Sequence, residues 1–255
     1  MTDRPRVAVF RPDDDRTAAA VETLEALGVE PVADPMLAVD PTDARPRTDA
    51  DYAVLTSKTG AELAASAGWD PGGAAVCAIG DATARALREA GYTVDVVPAE
   101  FSSQGLVERL AGEVAGARVE VARSDHGSAV LLDGLEAAGA YVHETVLYRL
   151  VRPAGAGDSA EAAAEKRLDA ALFTSSLTVE HFLDAAGECG VRDAALAGLD
   201  EAVVGVIGAP TAETAEDAGI AVDVVPDEAD FERLARRAVA TLRSSGEGAA
   251  DGPQL

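Results

Sequence analysis

The chain has 255 residues, of which 48% are hydrophobic, so it can form one large domain or two small ones and is too apolar to be disordered. Its net charge of −24 disfavours nucleic-acid binding, because a nucleic-acid surface needs clustered basic residues. Every apolar run is shorter than the roughly 18 to 20 residues of a membrane-spanning helix, so we expect no membrane partner.

The acidic residues are spread along the whole chain, and Lys58 and Lys166 are its two lysines, all other basic residues being arginines. An acid-rich, lysine-poor surface is typical of proteins that work in concentrated salt, where self-repulsion is screened. The alternative is an acidic surface that meets a basic partner. Because the acids form no tail or block, the sequence favours salt adaptation.

Targeting and redox features are sparse. Residues 1–6 lead directly into a predicted strand without an apolar signal region, which predicts a cytoplasmic protein. Cys77 lies in a strand pattern and Cys189 near a predicted helix end, a placement that indicates neither a disulfide framework nor a metal site. We therefore expect no metal or organic cofactor.

In chain order, short apolar runs predict buried strands and helical spacing predicts the segments between them. Strands are predicted at 7–10, 29–32, 52–55, 76–79, 118–122, 141–151, 170–173, 203–207 and 222–225. Polar residues with two prolines predict a linker at 38–50, and a Gly- and Ala-rich stretch predicts a second, partly helical linker at 153–165. A final helix is predicted at 231–242, and residues 244–255 are expected to be disordered.

Two segments of the chain repeat. Residues 79–98 and 207–226 share eleven of twenty positions without gaps, and residues 51–57 match 169–175 just upstream. A second, weaker repeat relates residues 7–32 to 119–142. With the weaker repeat named A and the stronger B, the chain reads A, B, A, B. This spacing allows the halves to pair either sequentially or crossed.

Strands alternating with helices predict parallel sheets with helices on both faces. Each A plus B supplies five strands, enough for a flavodoxin-like sheet of order 2-1-3-4-5. Crossed pairing would place residues 1–37 and 152–255 in a discontinuous first domain and residues 38–151 in a second, joined by two linkers. The predicted fold class is therefore α/β with two flavodoxin-like domains.

Ligands of such sheets bind beyond the carboxyl ends of the strands, often at helix N-termini, whose free N–H groups attract anions. The candidate binding residues there are mainly hydroxyl-bearing, glycine or basic: Arg11, Thr56, Ser57, Lys58, Gly80, Thr83, Ser103, Arg123, Thr174, Ser175, Ser176, Gly208 and Thr211. Each Ser or Thr can also be an ordinary helix cap, and Arg11 and Arg123 can instead pair with surface acids. His126, His143 and His181 lack metal-ligand spacing. The set suits a polyanionic ligand.

The chain resembles the uroporphyrinogen-III synthase family along nearly its whole length. The resemblance rests on an ordered set of short motifs: Leu55-Thr-Ser57, Ile79-Gly80 with Thr83, Val97-Pro98, Ala122-Arg123, Val146-Leu-Tyr148, Phe173-Thr-Ser-Ser176 and Ile207-Gly-Ala-Pro-Thr211. The family has two flavodoxin-like domains, the first discontinuous, which implies the crossed pairing.

The resemblance also implies a reaction: hydroxymethylbilane, a linear tetrapyrrole rich in carboxylates, loses water and closes to uroporphyrinogen III with ring D inverted. The family uses no cofactor. The resemblance implies that Tyr148 assists water loss. It also implies that substrate carboxylates are contacted by Thr56, Ser57, Thr83, Thr174, Ser175, Ser176 and Thr211. A monomer is expected. Two alternatives remain: a two-lobed cytoplasmic protein that binds or senses a small polyanion, and a tandem module of receiver-like folds, which the missing acidic phosphorylation pocket disfavours.

Overall fold

The computed structural model describes residues 4–12 and 14–249. The chain divides into two compact units, Met1–Ala38 together with Val151–Leu255, and Val39–Leu150. Up to the middle of the chain, the elements are β1 (Arg6–Phe10), α1 (Asp15–Ala26), β2 (Glu30–Ala33), β3 (Ala38–Pro41), β4 (Tyr52–Leu55), α2 (Lys58–Ser66), β5 (Ala75–Ala78), α3 (Asp81–Glu89), α4 (Ser103–Leu110) and β6 (Arg118–Ser124). They continue with α5 (Ala129–Ala137), β7 (Tyr141–Val151), α6 (Asp158–Ala164), β8 (Ala170–Phe173), α7 (Ser176–Glu188), α8 (Arg192–Leu199), β9 (Val203–Val206), α9 (Ala209–Asp217) and α10 (Phe231–Ala249).

The first unit is built on a parallel sheet of order β2-β1-β8-β9. Its strands are short and apolar, and side chains on both faces are buried against helices. Phe10 and Phe173 stack at a centroid distance of 4.5 Å, and Phe182 of α7 packs against both rings. Asp169 precedes β8 and accepts the Arg6 N–H through Oδ2 at 2.6 Å, which fixes the start of β1.

The second unit repeats this arrangement in a sheet of order β3-β7-β6-β4-β5. Asp51, the counterpart of Asp169, accepts the Arg118 N–H at 2.8 Å and fixes the start of β6. Strands β7, β6, β4 and β5 occupy the positions that β2, β1, β8 and β9 occupy in the first unit, and β3 adds an edge strand. The predicted α/β class, with two flavodoxin-like sheets and a discontinuous first domain, is confirmed.

In each unit, the strand expected beyond the last one, β9 or β5, is reduced to one bridge. Val224 bridges Gly205, and Val96 bridges Cys77, although residues 222–225 were predicted as a strand. In both copies an aspartate side chain supplies a bond to the neighbouring strand, since Asp223 Oδ2 accepts the Val204 N–H and Asp95 Oδ2 accepts the Val76 N–H, each at 2.8 Å. Proline two residues after each bridge prevents further ladder bonds.

Three other expectations need correction. The predicted linker at 38–50 begins with strand β3, whose extension bonds to β7 through the Thr42 N–H and the Leu147 carbonyl at 2.9 Å. Helix α8 was not predicted, and its N-cap, Val191, provides no side-chain cap. Helix α10 continues to Ala249, so residues 244–249 are helical rather than disordered. The remainder of that prediction, residues 250–255, lies outside the described residues.

From the net charge of −24 we expect stability to depend on salt concentration. Lowering the ionic strength lengthens the range of repulsion among the acidic residues, from about 3 Å at molar salt to about 10 Å at 0.1 M. We expect the melting temperature to rise by at least about 5 °C between dilute buffer and molar KCl, equivalent to roughly 2 kcal/mol for a chain of this size. Scanning calorimetry with an uncharged osmolyte as control checks this. Equal melting temperatures in the two buffers would contradict salt adaptation.

Candidate functional site

In the second unit, the carboxyl end of β4 carries the first three candidate residues. Ser57 caps α2, its Oγ accepting the Gly60 N–H at 2.9 Å, and Thr56 lies half-buried before it. Lys58 is the first residue of the helix, and its exposed ammonium lies 3.4 Å from Glu62. Ser57 therefore has the capping role that such residues commonly have, and the first turn of α2 leaves backbone N–H groups free for an anion.

Tyr148 meets this cap from β7. Its hydroxyl donates to Ser57 Oγ at 2.9 Å, and the side chain is only 6% exposed. The β6–β7 register shifts between Arg123 and Ser124, where Arg123 pairs with Val146 and Ser124 with Tyr148. The structure thus joins two residues that are far apart in sequence and were selected separately. It shows a packed tyrosine with a satisfied hydroxyl, placed at the carboxyl edge of the sheet.

Arg123 forms an ion pair within the protein. Its side chain is 7% exposed, Nε donates to Glu144 Oε1 at 2.6 Å, and Nη1 donates to the Ser128 carbonyl at 2.5 Å. These bonds hold the loop that follows β6. Arg123 therefore shapes the edge of the site, which is the ion-pair alternative that the sequence left open for this residue.

The same loop contains two residues that the sequence did not select. Asp125 donates its N–H to the Tyr148 carbonyl at 3.2 Å, and its Oδ1 lies 2.8 Å from His126 Nδ1 and accepts the Leu150 N–H at 3.0 Å. Burial alone would raise the pKa of Asp125, but the hydrogen bonds from His126 and Leu150 outweigh it and the pKa is lowered. An Asp-His pair next to a strand end is the signal that could have identified them.

Helices α3 and α4 complete this edge. Gly80 is the N-cap of α3, and a Cβ added there would lie 3.1 Å from the exposed ring of Phe101, so glycine permits this close approach. Thr83 is 3% exposed, which favours its backbone over its hydroxyl as a ligand contact. Ser103 is the first residue of α4, whose N-cap is Ser102.

In the first unit, the equivalent edge lies after β8. Thr174 Oγ1 donates to the Phe10 carbonyl at 2.8 Å, and Ser175 caps α7 in a reciprocal capping box with Thr178. Ser176 Oγ donates to the Pro210 carbonyl at 3.1 Å and accepts from Thr214 at 2.8 Å. All three hydroxyls therefore have local partners.

One further helix start and one arginine lie at this edge. Gly208 is the N-cap of α9, and Thr211 in its first turn is 3% exposed. The Arg11 guanidinium lies 4.7 Å above the ring of Phe231, and Nε is buried without a hydrogen-bond partner among the described residues. Burial, with a contribution from nearby Arg16, lowers the pKa of Arg11. Because it has an unpaired donor, Arg11 is the cation of this edge that is best placed to bind an anion.

Other chemistries find little support in the described part of the chain. Within it, no group of three or more His, Cys, Asp or Glu side chains is arranged to hold a metal ion. Burial raises the pKa of the Cys77 thiol to about 12, so this cysteine is unsuited to act as a nucleophile. Among residues 4–12 and 14–249, no helix has the length and apolar character needed to span a membrane.

Comparison with known proteins places the chain in context. A family model described as "Uroporphyrinogen-III synthase HemD" matches residues 18–236. A "Putative uroporphyrinogen-III synthase" from Methanothermobacter thermautotrophicus is 31% identical over 230 residues, covering 84% of this chain and 90% of that protein. The fold is similar to a uroporphyrinogen III synthase mutant from Thermus thermophilus, with a TM-score of 0.62 at 20% identity over 96% of this chain and 98% of that one. It is also similar to uroporphyrinogen-III synthetase from Helicobacter pylori, with a TM-score of 0.61 at 15% identity over 93% and 99% of the two chains.

Proposed function

The chain belongs to the uroporphyrinogen-III synthase family, and from this premise we infer that it catalyses the family's reaction in tetrapyrrole biosynthesis. Hydroxymethylbilane loses its hydroxyl as water, and the resulting azafulvene is attacked by the substituted carbon of ring D. A spiro intermediate then rearranges to uroporphyrinogen III. The family match over residues 18–236 carries this inference.

The main task of the protein in this reaction is to hold a flexible polyanion in one conformation, because the uncatalysed closure gives the other isomer. Holding reacting groups in place is a major source of rate enhancement. Both carboxyl edges suit this task. Helix starts at Ser57, Gly80, Ser175 and Gly208 supply free N–H groups for carboxylates, and Arg11 supplies a cation whose Nε has no partner among the described residues.

We assign the assistance of water loss to Tyr148. The observation that supports this role is its hydroxyl bond to Ser57 Oγ at 2.9 Å, which orients the phenol at the carboxyl edge. A tyrosine hydroxyl carries its proton at neutral pH and can donate it to a departing hydroxide. Ser57 also accepts from the Gly60 N–H, so its position does not depend on Tyr148 alone.

We expect the purified protein to convert hydroxymethylbilane to isomer III at full rate in the presence of a metal chelator. The reason is that the groups to which we assign substrate binding are hydroxyls, backbone amides and the Arg11 cation, which bind carboxylates directly. Separation of the two isomers after incubation with freshly generated substrate measures this, with heat-denatured protein as control. Formation of isomer I alone, at the rate of the control, would show the functional assignment to be wrong.

A further inference from the structure

A recess at the amino end of the first unit's sheet, away from the carboxyl edge, concentrates positive charge. It measures about 400 Å³ and is lined by Arg4, Pro5, Arg6, Lys166, Arg167 and Asp169. Four of these six residues are basic, in a chain whose net charge is −24. We propose that this basic recess binds a small polyanion, a polyphosphate or a polycarboxylate, as a second ligand site.

The duplicated second unit shows that the fold does not require this charge. Aligning Asp169 with Asp51 places Thr48 and Asp49 at the positions of Lys166 and Arg167. Aligning Arg6 with Arg118 places Gly116 at the position of Arg4. Of the four cations, the second unit retains Arg118 at an aligned position, and its equivalent recess adds Arg47 beside Asp49 and Glu120. The cluster is a local property of the first unit and needs an explanation beyond folding.

Lys166 has an unusual backbone for its type. It follows the end of α6 with φ 56°, the one positive φ among the described non-glycine residues. Helices α1, α3, α7 and α9 end in the same left-handed conformation with Gly28, Gly91, Gly190 and Gly219. A side chain disfavours this conformation, and glycine adopts it freely. Residues held in such conformations cluster at functional sites, and here the strained residue is one of the four cations that line the recess.

A favourable interaction with the helix dipole does not account for a lysine at position 166. Cations are stabilising anywhere in the last turn of a helix, where the backbone is right-handed and a lysine is unstrained. Helix α6 has no basic residue in its last turn. The lysine is placed instead at the strained position, next to Arg167 and opposite the start of β1.

The cations are available to a ligand because their present partners are exposed. Lys166 pairs with Glu201, Arg167 with Glu165, and Arg6 Nε lies 3.4 Å from Glu30 Oε1. The three glutamate side chains are 51% to 62% exposed. Exposed pairs of this kind contribute little, so an anion that carries several charges can displace them. Arg4 has no ion-pair partner among the described residues.

Titration calorimetry of the full chain with pyrophosphate and with citrate, at fixed ionic strength in KCl, tests the proposal. We expect binding of at least one anion, and Lys166→Gly should weaken it about threefold, the range of a single exposed charge interaction. Adding Arg4→Gln and Arg167→Gln should abolish it. Lys166→Gly should also raise the melting temperature without ligand, because it relieves the left-handed strain.

The control is Arg109→Gln, which removes an exposed cation that pairs with Glu113 at 2.7 Å in the second unit, and which should leave anion binding unchanged. Binding of pyrophosphate alone would identify a phosphate ligand, binding of citrate alone a polycarboxylate, and binding of both a general polyanion site. Absence of binding, or full binding in the triple variant, would overturn the proposal. Both results are independent of synthase activity.

Discussion

Replacing Gly198 with alanine is expected to lower the free energy of unfolding by about 3 kcal/mol. A Cβ at this position in α8 would lie 1.8 Å from the Ala163 carbonyl oxygen and 2.6 Å from its carbon, both in the backbone of α6. Side-chain rotation cannot relieve a clash with backbone, so the two helices must separate and lose their packing. Overpacking of this kind typically costs about 1 to 3 kcal/mol and sometimes more.

The matched control is Gly187→Ala in α7, where an added Cβ meets no atom within 4 Å. Alanine is the better helix former by about 1 kcal/mol, so this variant should be more stable than the parent. If the two Gly→Ala substitutions change the free energy of unfolding in opposite directions, the effect of the clash is distinguished from that of helix propensity. Thermal unfolding in one buffer checks both, with a fall of roughly 6 to 12 °C expected for Gly198→Ala. A Gly198→Ala protein as stable as Gly187→Ala would show that α6 and α8 are not closely packed.

The duplicated segments explain why so much of the fold could be predicted. Where the two copies agree, at Asp51 and Asp169 or at Asp95 and Asp223, the same side chain makes the same bond to a neighbouring strand. Each copy thus acts as a check on the interpretation of the other. Gly91 and Gly219, both with positive φ, mark the same helix end twice.

The features that could not be predicted depend on contacts distant in sequence. Glu120 lies in the predicted strand 118–122 and was not singled out from the sequence. It is 1% exposed, and its Oε2 lies 2.7 Å from His143 Nδ1. At the same register the first unit has Ala8 and Val32. A strand pattern gives the face on which a residue lies, but it does not give what covers that face. Helix α8 was missed because its stability comes from packing on α6 rather than from a capping signal.

For the candidate site, the sequence could indicate positions but not the contacts that each side chain makes. Residues at strand ends and helix starts follow from topology, so Ser57 and Ser175 could be selected from their position in the repeats. Topology does not show which hydroxyls are already occupied. The structure shows that Thr174 and Ser176 donate to nearby carbonyls and that Arg123 is paired with Glu144. These three residues therefore contribute to shaping the edges at least as much as to contacting a ligand.

Tyr148→Phe is expected to lower the turnover rate about ten- to a hundredfold, at or below the lower limit of the roughly 10²- to 10⁴-fold range of general acid catalysis, because positioning by other groups remains. The variant should still produce isomer III, since we propose that the helix starts and Arg11, and not Tyr148, set the conformation of the bound substrate. Its stability should fall by no more than about 1 kcal/mol, the usual net value of one hydrogen bond. Ser57 Oγ keeps the Gly60 N–H as a partner.

Tyr141→Phe provides the matched control, because Tyr141 lies on the same strand, its side chain is 71% exposed, and it belongs to the amino end of the sheet. It should turn over at the parent rate. Measuring kcat, isomer ratio and melting temperature for both variants distinguishes the two roles of Tyr148. Parent-like turnover in Tyr148→Phe would remove the acid role. A loss of activity that parallels a large fall in melting temperature would instead assign Tyr148 to packing against Leu55 and Ala122, in which case water loss must be assisted by another group at the same edge, with His126 the first to test.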